Sequence, residues 1–236
     1  HIVTLTVHHS VFDAWSLGIL ISELGEAYTA FTEGRPPRLP DLTRQYTDFA
    51  RWQRDHLQGD ALAAQLDYWR SQLAGAPPAL ELPTDRPRPA LPSYEGASER
   101  VLLPHALTRA LVDCSREEGA TLFMVLLAGL QVVLSRHSGQ DDIVVGTTIA
   151  GRNRVELEGI VGLFVNTLPL RTRLDGIRSF RDLLGRVREV TLGAYAHQDV
   201  PFDRVVEAVQ PRRDHSRSPL FQVVLSLQNA PLRKLA

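Results

Sequence analysis

The 236-residue sequence has almost no cysteine or lysine, and neither charge is in clear excess. Cys114 is the only cysteine, which excludes an internal disulfide framework and a multi-cysteine metal site. With 26 basic and 27 acidic residues the formal net charge is −1, so there is no surplus of cations to bind nucleic acid or an anionic membrane surface. Lys234 is the only lysine, so arginine–carboxylate pairs are the default salt bridges.

The sequence also has little that resembles a membrane span. The strongly apolar segment 122–134 has about 13 residues and contains Gln131, whereas a span needs about 20. We interpret it as a buried core helix that Thr121 caps. The composition, 44 % hydrophobic and 22 % charged, is that of an ordinary globular protein of one large or two small domains.

What the sequence does contain is an alternation of strand and helix patterns, which predicts an α/β architecture. The predicted strands are 2–7, 100–103, 142–149, 165–174 and 220–227. The predicted helices are 16–31, 46–73 with a break near Gly59, 106–118, 122–134, 180–196 and 202–209. Six prolines between residues 75 and 92 exclude a helix there and predict an extended connector.

The first predicted helix has a candidate cap and one apolar face. Ser16 is a suitable N-cap residue. The apolar positions that share a helical face are Leu17, Leu20, Ile21, Leu24, Tyr28 and Phe31. Because the chain starts within a strand pattern, we expect it to be part of a longer polypeptide.

Segment 8–16, His-His-Ser-Val-Phe-Asp-Ala-Trp-Ser, follows the first predicted strand, and a strand end is a rigid support for a reactive side chain. An imidazole can act there as a base near neutral pH, and a carboxylate four residues later can orient the loop. The same spacing supplies two metal ligands, although no second cluster is adjacent. Catalysis, a metal pair and structural histidines are the interpretations that these residues leave open.

Six segments along the chain form an ordered series. They are His-His-Ser-Val-Phe-Asp-Ala at 8–14, Tyr-Thr-Asp-Phe-Ala-Arg-Trp-Gln at 46–53, Gly-Thr-Thr-Ile-Ala-Gly-Arg at 146–152, Val-Gly-Leu-Phe-Val-Asn-Thr-Leu-Pro-Leu-Arg at 161–171, His-Gln-Asp-Val-Pro-Phe-Asp at 197–203 and Arg-Asp-His-Ser-Arg-Ser-Pro-Leu at 213–220. The series resembles the motifs of the condensation domains of non-ribosomal peptide synthetases over the whole chain. A single His-x-x-x-Asp is a weak signal, but the ordered series is a strong one.

The resemblance implies a chloramphenicol-acetyltransferase-like fold of two lobes around a tunnel. Residues 1–88 would hold the end of an incomplete N-terminal lobe with the His-His-x-x-x-Asp motif, and residues 89–236 a nearly complete C-terminal lobe. Strand 2–7 would then lack sheet neighbours. We therefore expect the isolated chain to be inactive or prone to aggregation, and its parent to be a large multidomain synthetase.

The implied activity is amide-bond formation, in which an acceptor amine attacks a donor thioester and both substrates are bound to phosphopantetheine. The implied partners are donor and acceptor peptidyl carrier proteins and a neighbouring adenylation domain, in the cytoplasm. The resemblance is greatest to the subtype that joins an L-donor to an L-acceptor. It implies no metal, no directly bound cofactor, no nucleic acid and no membrane.

The resemblance gives His9 the catalytic role, either accepting the amine proton or positioning the nucleophile and stabilising the tetrahedral intermediate. His8 belongs to the motif, and Asp13 would be structural. We expect Asp13 to pair with Arg152, with Arg171 as the alternative. Ala14 replaces the family's glycine: it is strained if φ is positive there, it narrows the tunnel if the glycine makes room for the thioester, or it is simply tolerated.

Several other residues have two interpretations each. Trp15, Asn166, Ser226 and Gln228 are candidates for the tunnel wall, although Asn166 can equally tie down a turn. The cluster 213–217 either faces a carrier protein or is a solvated loop. Tyr46, Phe49 and Trp52 have helical spacing and are expected to pack in the interior.

Two other functions remain open. One is a His-x-x-x-Asp acyltransferase with a free alcohol or amine as acceptor. The other is a non-catalytic module that docks a carrier protein or a tailoring enzyme.

Overall fold

The computed structural model describes residues 2–91, 93–211, 214 and 216–228. Pro92 of the predicted connector, and Arg213 and His215 of the arginine cluster, lie outside the described residues.

The described residues form two compact units. The first contains residues 2–63 and 149–166 together with Gln228, and the second contains the described residues within 64–148 and 167–227. The lobe boundary at residues 88 and 89 stays a prediction.

Helices make up most of the regular structure. They are α1 (Ala14–Thr32), α2 (Tyr46–His56), α3 (Gly59–Leu73), α4 (His105–Glu117), α5 (Leu122–Ser138), α6 (Phe180–Ala196) and α7 (Phe202–Val209). Short 3₁₀ turns lie at His9–Val11 and Val155–Leu157, and strands β1 (Asp142–Ile149) and β2 (Asn166–Arg173) pair in a two-stranded sheet. The predicted helices, the break near Gly59 and these two strands are confirmed.

In the first unit, helix α1 starts two residues earlier than predicted. Asp13, in an extended conformation, is the N-cap, and its carboxylate accepts the backbone N–H of Ser16 at 2.8 Å. A carboxylate three residues ahead satisfies this free donor of the first turn, so the assignment of the cap to Ser16 is wrong. Instead, Ser16 faces inward and is fully buried.

Two predicted strands are wrong. Residues 2–7 and 100–103 have no strand hydrogen bonding, and Ile2 and Leu102 are 96 % and 86 % exposed. Their apolar, β-branched pattern favours an extended chain, but an extended segment becomes a strand only where another edge pairs its N–H and C=O groups. No such edge reaches either segment within the described part of the chain.

The core of the second unit is centred on helix α5, which packs against α4 and α6. Thr121 caps α5 by accepting the N–H of Met124 at 3.2 Å, as predicted. The helix runs one turn past its predicted end, to Ser138, and is terminated by Gly139, whose φ of 70° is left-handed. Its buried residues include Phe123, Met124, Val125, Leu127, Ala128, Gln131 and Leu134.

The predicted strand 220–227 is reduced to one parallel bridge. Val224 bridges to Gly146 of β1, where the Gly146 N–H bonds the Val223 carbonyl at 2.9 Å. Leu220 has φ of 68°, which takes the chain out of an extended conformation at the start of the segment. The side chain of Phe221 occupies the space that a Cβ at Gly146 would need.

Among the described residues, no single helix is long and apolar enough to cross a membrane, and α4 and α5 meet that length and composition only as a pair bent by 107°.

The position of Leu127 in the core predicts the cost of truncating it. Leu127 is 0 % exposed, whereas Val133 on the same helix is 51 % exposed. Leu127→Ala should lower the free energy of unfolding by about 2–5 kcal/mol because it leaves a cavity. The matched Val133→Ala change should cost less than about 1 kcal/mol. Urea denaturation of both variants measures the difference, and equal costs would show that α5 does not form the core.

Candidate functional site

The centre of the first unit is a buried ion pair between Asp13 and Arg152. The Nη2 atom of Arg152 lies 3.1 Å from Oδ1 and 3.3 Å from Oδ2 of Asp13, and neither side chain is exposed to solvent. Arg171, the alternative partner, instead binds both carboxylate oxygens of Asp142 at 2.8 and 2.7 Å in the second unit. Of the two arginines named from the sequence, Arg152 is therefore the one that pairs with Asp13.

Asp13 is held as a charged carboxylate. Burial raises its pKa, but the hydrogen bonds from Ser16 and Phe164 and the charge of Arg152 outweigh burial, and the net pKa is lowered. The donors are the Ser16 N–H at 2.8 Å, the Ser16 hydroxyl at 2.7 Å and the Phe164 N–H at 3.1 Å. A carboxylate that accepts this many hydrogen bonds can stay ionised away from water.

Arg152 binds the backbone as well as the carboxylate. Its Nη1 atom donates to the carbonyls of Leu157 and Ile160 at 2.5 and 2.6 Å. Its guanidinium also lies over the ring of Phe164, 4.0 Å from the centroid, where the negative face of the ring attracts the cation. Burial lowers the pKa of Arg152 and Asp13 opposes that shift, so the two charges support each other.

An aromatic cluster supports this pair from α2. Tyr46 and Phe49 pack on the buried residues Leu157, Ile160 and Phe164. The rings of Tyr46 and Phe164 meet edge to face at 5.1 Å, and the Tyr46 hydroxyl donates to the Leu163 carbonyl at 2.8 Å. Tyr46 and Phe49 therefore pack against the core, as expected, whereas Trp52 is half-buried and stacks on His56 with 5.0 Å between the ring centroids.

His8 and His9 differ in their surroundings although both are exposed. Nδ1 of His8 accepts the backbone N–H of Ser10 at 3.2 Å and lies 2.7 Å from its hydroxyl. The His9 imidazole makes no hydrogen bond to any residue that the structure describes, and it is the first residue of the 3₁₀ turn before Asp13. Its ring is therefore available to a substrate.

Ala14 is the first residue of α1, and it is not among the described non-glycine residues with positive φ. The possibility that alanine is strained at this position is therefore wrong. The exposed methyl group is compatible with the other two interpretations, a narrower tunnel or simple tolerance.

The four candidates for the tunnel wall differ in their contacts. The Trp15 indole N–H donates to the Glu158 carbonyl at 2.9 Å, which ties this side chain to the site. Asn166 is half-buried at the start of β2, and Gln228 is exposed. Ser226 belongs to the second unit, where its hydroxyl lies 2.9 Å from that of Thr148.

Sequence reasoning missed two contributors to the site. Ser16 follows Asp13 by three residues, which is the spacing at which an N-cap side chain accepts a backbone N–H. The local sequence could therefore have indicated the contact between Ser16 and Asp13. The sequence gives no indication that the carbonyls of Leu157 and Ile160 bind Arg152, because every residue carries a carbonyl. Among the described residues there is no group of three or more histidine, cysteine, aspartate or glutamate side chains that could hold a metal ion.

Comparison with known proteins agrees with the motif series. The family model for the condensation domain matches residues 1–235. The chain is 53 % identical to a linear gramicidin synthase polypeptide of Brevibacillus parabrevis, over 98 % of its own length and 3 % of that protein. It is 47 % identical to phosphinothricin tripeptide synthetase PhsB of Streptomyces viridochromogenes, over 97 % of the chain and 19 % of the relative. The chain thus spans a small part of these proteins.

Solved structures show the same fold. The X-domain from teicoplanin biosynthesis matches with a TM-score of 0.83 and 31 % identity, over 92 % of this chain and 50 % of that one. A four-domain non-ribosomal peptide synthetase, AB3403, matches with a TM-score of 0.83 and 28 % identity, over 94 % of this chain and 16 % of that one. The chloramphenicol-acetyltransferase-like fold predicted from the motifs is confirmed.

Removing Asp13 should affect stability as well as rate. Asp13→Ala leaves Arg152 buried and unpaired, which typically costs about 3–5 kcal/mol. Asp67→Ala is a matched control, because Asp67 pairs with Arg70 at 2.8 Å on the surface, where such pairs contribute about 0–1 kcal/mol. Chemical denaturation measures both costs. A folded Asp13→Ala protein whose only defect is turnover would contradict the structural role.

The lowered pKa of Asp13 predicts how stability depends on pH. The carboxyl group in the unfolded chain has a pKa of about 3.9. The pKa of Asp13 in the folded protein is lower than this. The contribution of the carboxylate to stability is therefore present above the unfolded pKa and is lost as the pH falls through the folded pKa. The stability difference between the wild type and Asp13→Asn should therefore shrink below about pH 4. Denaturation at pH 7, 5, 4 and 3 tests this, and a constant difference down to pH 3 would refute it.

Proposed function

The chain belongs to the condensation-domain family, and we propose that it forms an amide bond between two substrates bound to carrier proteins in non-ribosomal peptide synthesis. Domains of this family are of the acyltransferase type. The observation that supports the proposal most is the His9 imidazole, exposed and without a hydrogen-bond partner among the described residues, one turn before the buried pair.

The proposed reaction needs little from the protein beyond orientation. The acceptor nitrogen attacks the carbonyl carbon of the donor thioester, a C–N bond forms, the C–S bond breaks, and the amine proton is transferred to the leaving thiolate. In our proposal His9 accepts that proton from the nitrogen and returns it to the sulfur. The thioester supplies the driving force, so holding the two reactants together accounts for much of the acceleration.

The surroundings of His9 suit a base. Its imidazole is exposed and makes no hydrogen bond to a described residue, so a substrate can reach both ring nitrogens. Asp13 is already bound to Arg152 and to backbone donors, so we assign it to the support of the turn rather than to proton transfer. Positioning of the nucleophile remains the second role that His9 could have.

The finer details are also proposals. We propose donor and acceptor peptidyl carrier proteins and an adjoining adenylation domain as partners, because the relatives are large synthetases of which this chain matches only a small part. An L-configured donor and acceptor, a cytoplasmic location, and Trp15 and Asn166 beside the substrates are proposals from the motif resemblance, as are Ser226 and Gln228.

A role in docking is the second candidate. It is favoured by one comparison: an X-domain from teicoplanin biosynthesis, 32 % identical to this chain over 92 % of it, is known in complex with OxyB. If the chain docked a tailoring enzyme, it would bind such a partner without forming an amide.

The test is turnover by the synthetase polypeptide that carries this chain, with donor and acceptor carrier proteins loaded. His9→Ala should lower amide formation by about 10²–10⁴-fold, the usual contribution of a general base. His137→Ala is the control, since His137 is an exposed histidine of the second unit, in the last turn of α5. It should leave turnover unchanged.

Each outcome decides between the candidates. Equal product from wild type and His9→Ala would refute the catalytic role of His9. Product with a free alcohol or amine but not with a carrier-bound acceptor would favour the alternative acyltransferase. Partner binding without any product would favour docking.

A further inference from the structure

Ser16 lies where three segments of the first unit meet. Its side chain is fully buried, and its hydroxyl oxygen is 2.7 Å from Oδ1 of Asp13 and 3.0 Å from Nη2 of Arg152. The same oxygen lies 3.0 Å from both the backbone nitrogen and the carbonyl oxygen of Gly162. One hydroxyl thus contacts the Asp13 cap, the arginine and the backbone of a distant loop.

The hydrogen-bonding capacity of this hydroxyl is completely used. A hydroxyl has one proton to donate and two lone pairs that accept. The lone pairs accept the N–H of Gly162 and an N–H of Arg152, and the proton is donated to Asp13 or to the Gly162 carbonyl. Alanine would leave the buried N–H of Gly162 without this acceptor, and leaving a buried donor unsatisfied is costly.

Each residue of the loop 162–164, which Ser16 binds at Gly162, makes a hydrogen bond to a side chain of the first unit. After Gly162, the Leu163 carbonyl accepts the Tyr46 hydroxyl, and the Phe164 N–H donates to Asp13. A side chain at Gly162 would collide with the ring of Tyr46, so this backbone approaches closely and has little freedom to move.

The other end of the connection is the turn that carries His9. Its backbone closes through a bond from the Phe12 N–H to the His9 carbonyl at 3.4 Å, directly before Asp13. Asp13 then caps α1, and Ser16 is the residue that receives that cap. The turn and the loop 162–164 are therefore fixed to each other through Asp13 and Ser16.

We propose, on the basis of the proposed condensation function, that Ser16 is a positioning residue: its hydroxyl fixes the Gly162 loop to the Asp13–Arg152 pair and thereby holds His9 in its catalytic position. Ser16 is buried and acts through Asp13. Its loss therefore displaces the base without removing a contact to the substrate, which lowers kcat and leaves KM nearly unchanged.

The experiment compares Ser16→Ala with Thr32→Ala in the same synthetase assay. Thr32 is the matched control because it is on the same helix, is exposed, and bonds only the nearby Thr29 carbonyl at 2.8 Å through its hydroxyl. Ser16→Ala should lower kcat about 10- to 100-fold, the effect of a displacement of about 1 Å at a reacting group. KM should stay within about threefold, and Thr32→Ala should match the wild type.

A double variant separates positioning from a general loss of structure. If Ser16 acts through His9, adding Ser16→Ala to His9→Ala should lower the residual rate no further. Multiplying losses would overturn the proposal, because they would show that Ser16 acts independently of the base. Thermal denaturation of each variant confirms that the assay is run on folded protein.

The outcomes also distinguish this proposal from the function on which it rests. Wild-type kcat in Ser16→Ala, together with a rate loss in His9→Ala, would overturn only the role of Ser16. Absence of amide product in the wild type would overturn the proposed function itself. If Ser16→Ala does not fold, Ser16→Cys takes its place, since a thiol fills the space but bonds weakly: reduced kcat supports the proposal and wild-type kcat overturns it.

Discussion

The local structure around the candidate site depends on one buried ion pair. Taking Asp13 and Arg152 out of water is costly, and their mutual attraction offsets this cost only if the remaining donors and acceptors are also bound. That requirement explains the surrounding contacts, because Ser16 and Phe164 donate to Asp13, and the carbonyls of Leu157 and Ile160 accept from Arg152. The pair therefore determines where α1 begins and where the backbone of residues 157–164 runs.

An arginine that binds a carboxylate and two backbone carbonyls is found in both units. Arg152 binds one carboxylate and two carbonyls, and Arg171 binds the carboxylate of Asp142 and the carbonyls of Gln72 and Ala74, where α3 ends. A guanidinium has five N–H groups in a planar fork, whereas an ammonium has three on a single nitrogen. In a chain with one lysine, arginine is well suited to fix an irregular backbone segment and a carboxylate at once.

How well the sequence predicts this structure depends on the range of the interactions. Helices α4–α7 and strands β1 and β2 follow from local periodicity, capping and turn residues, and the motif order indicates the family. Segments 2–7 and 100–103 were predicted wrongly because strand formation depends on a partner edge that local sequence does not encode. The predicted strand 220–227 is mostly absent because Leu220 adopts a left-handed conformation, which interrupts an otherwise extended pattern. At the site, Asp13 and an arginine partner could be inferred, but the backbone carbonyls that bind Nη1 of Arg152 have no sequence signature.

Ser10, the residue after the two histidines, affects the protonation of the His8 ring through its backbone N–H. Because the Ser10 N–H donates to Nδ1 of His8, that nitrogen carries no proton, and neutral His8 has its proton on Nε2. His9 has no such constraint among the described residues and can take either tautomer. A single backbone amide thus makes two adjacent, identical side chains unequal, because it fixes the neutral tautomer of His8 and leaves that of His9 open.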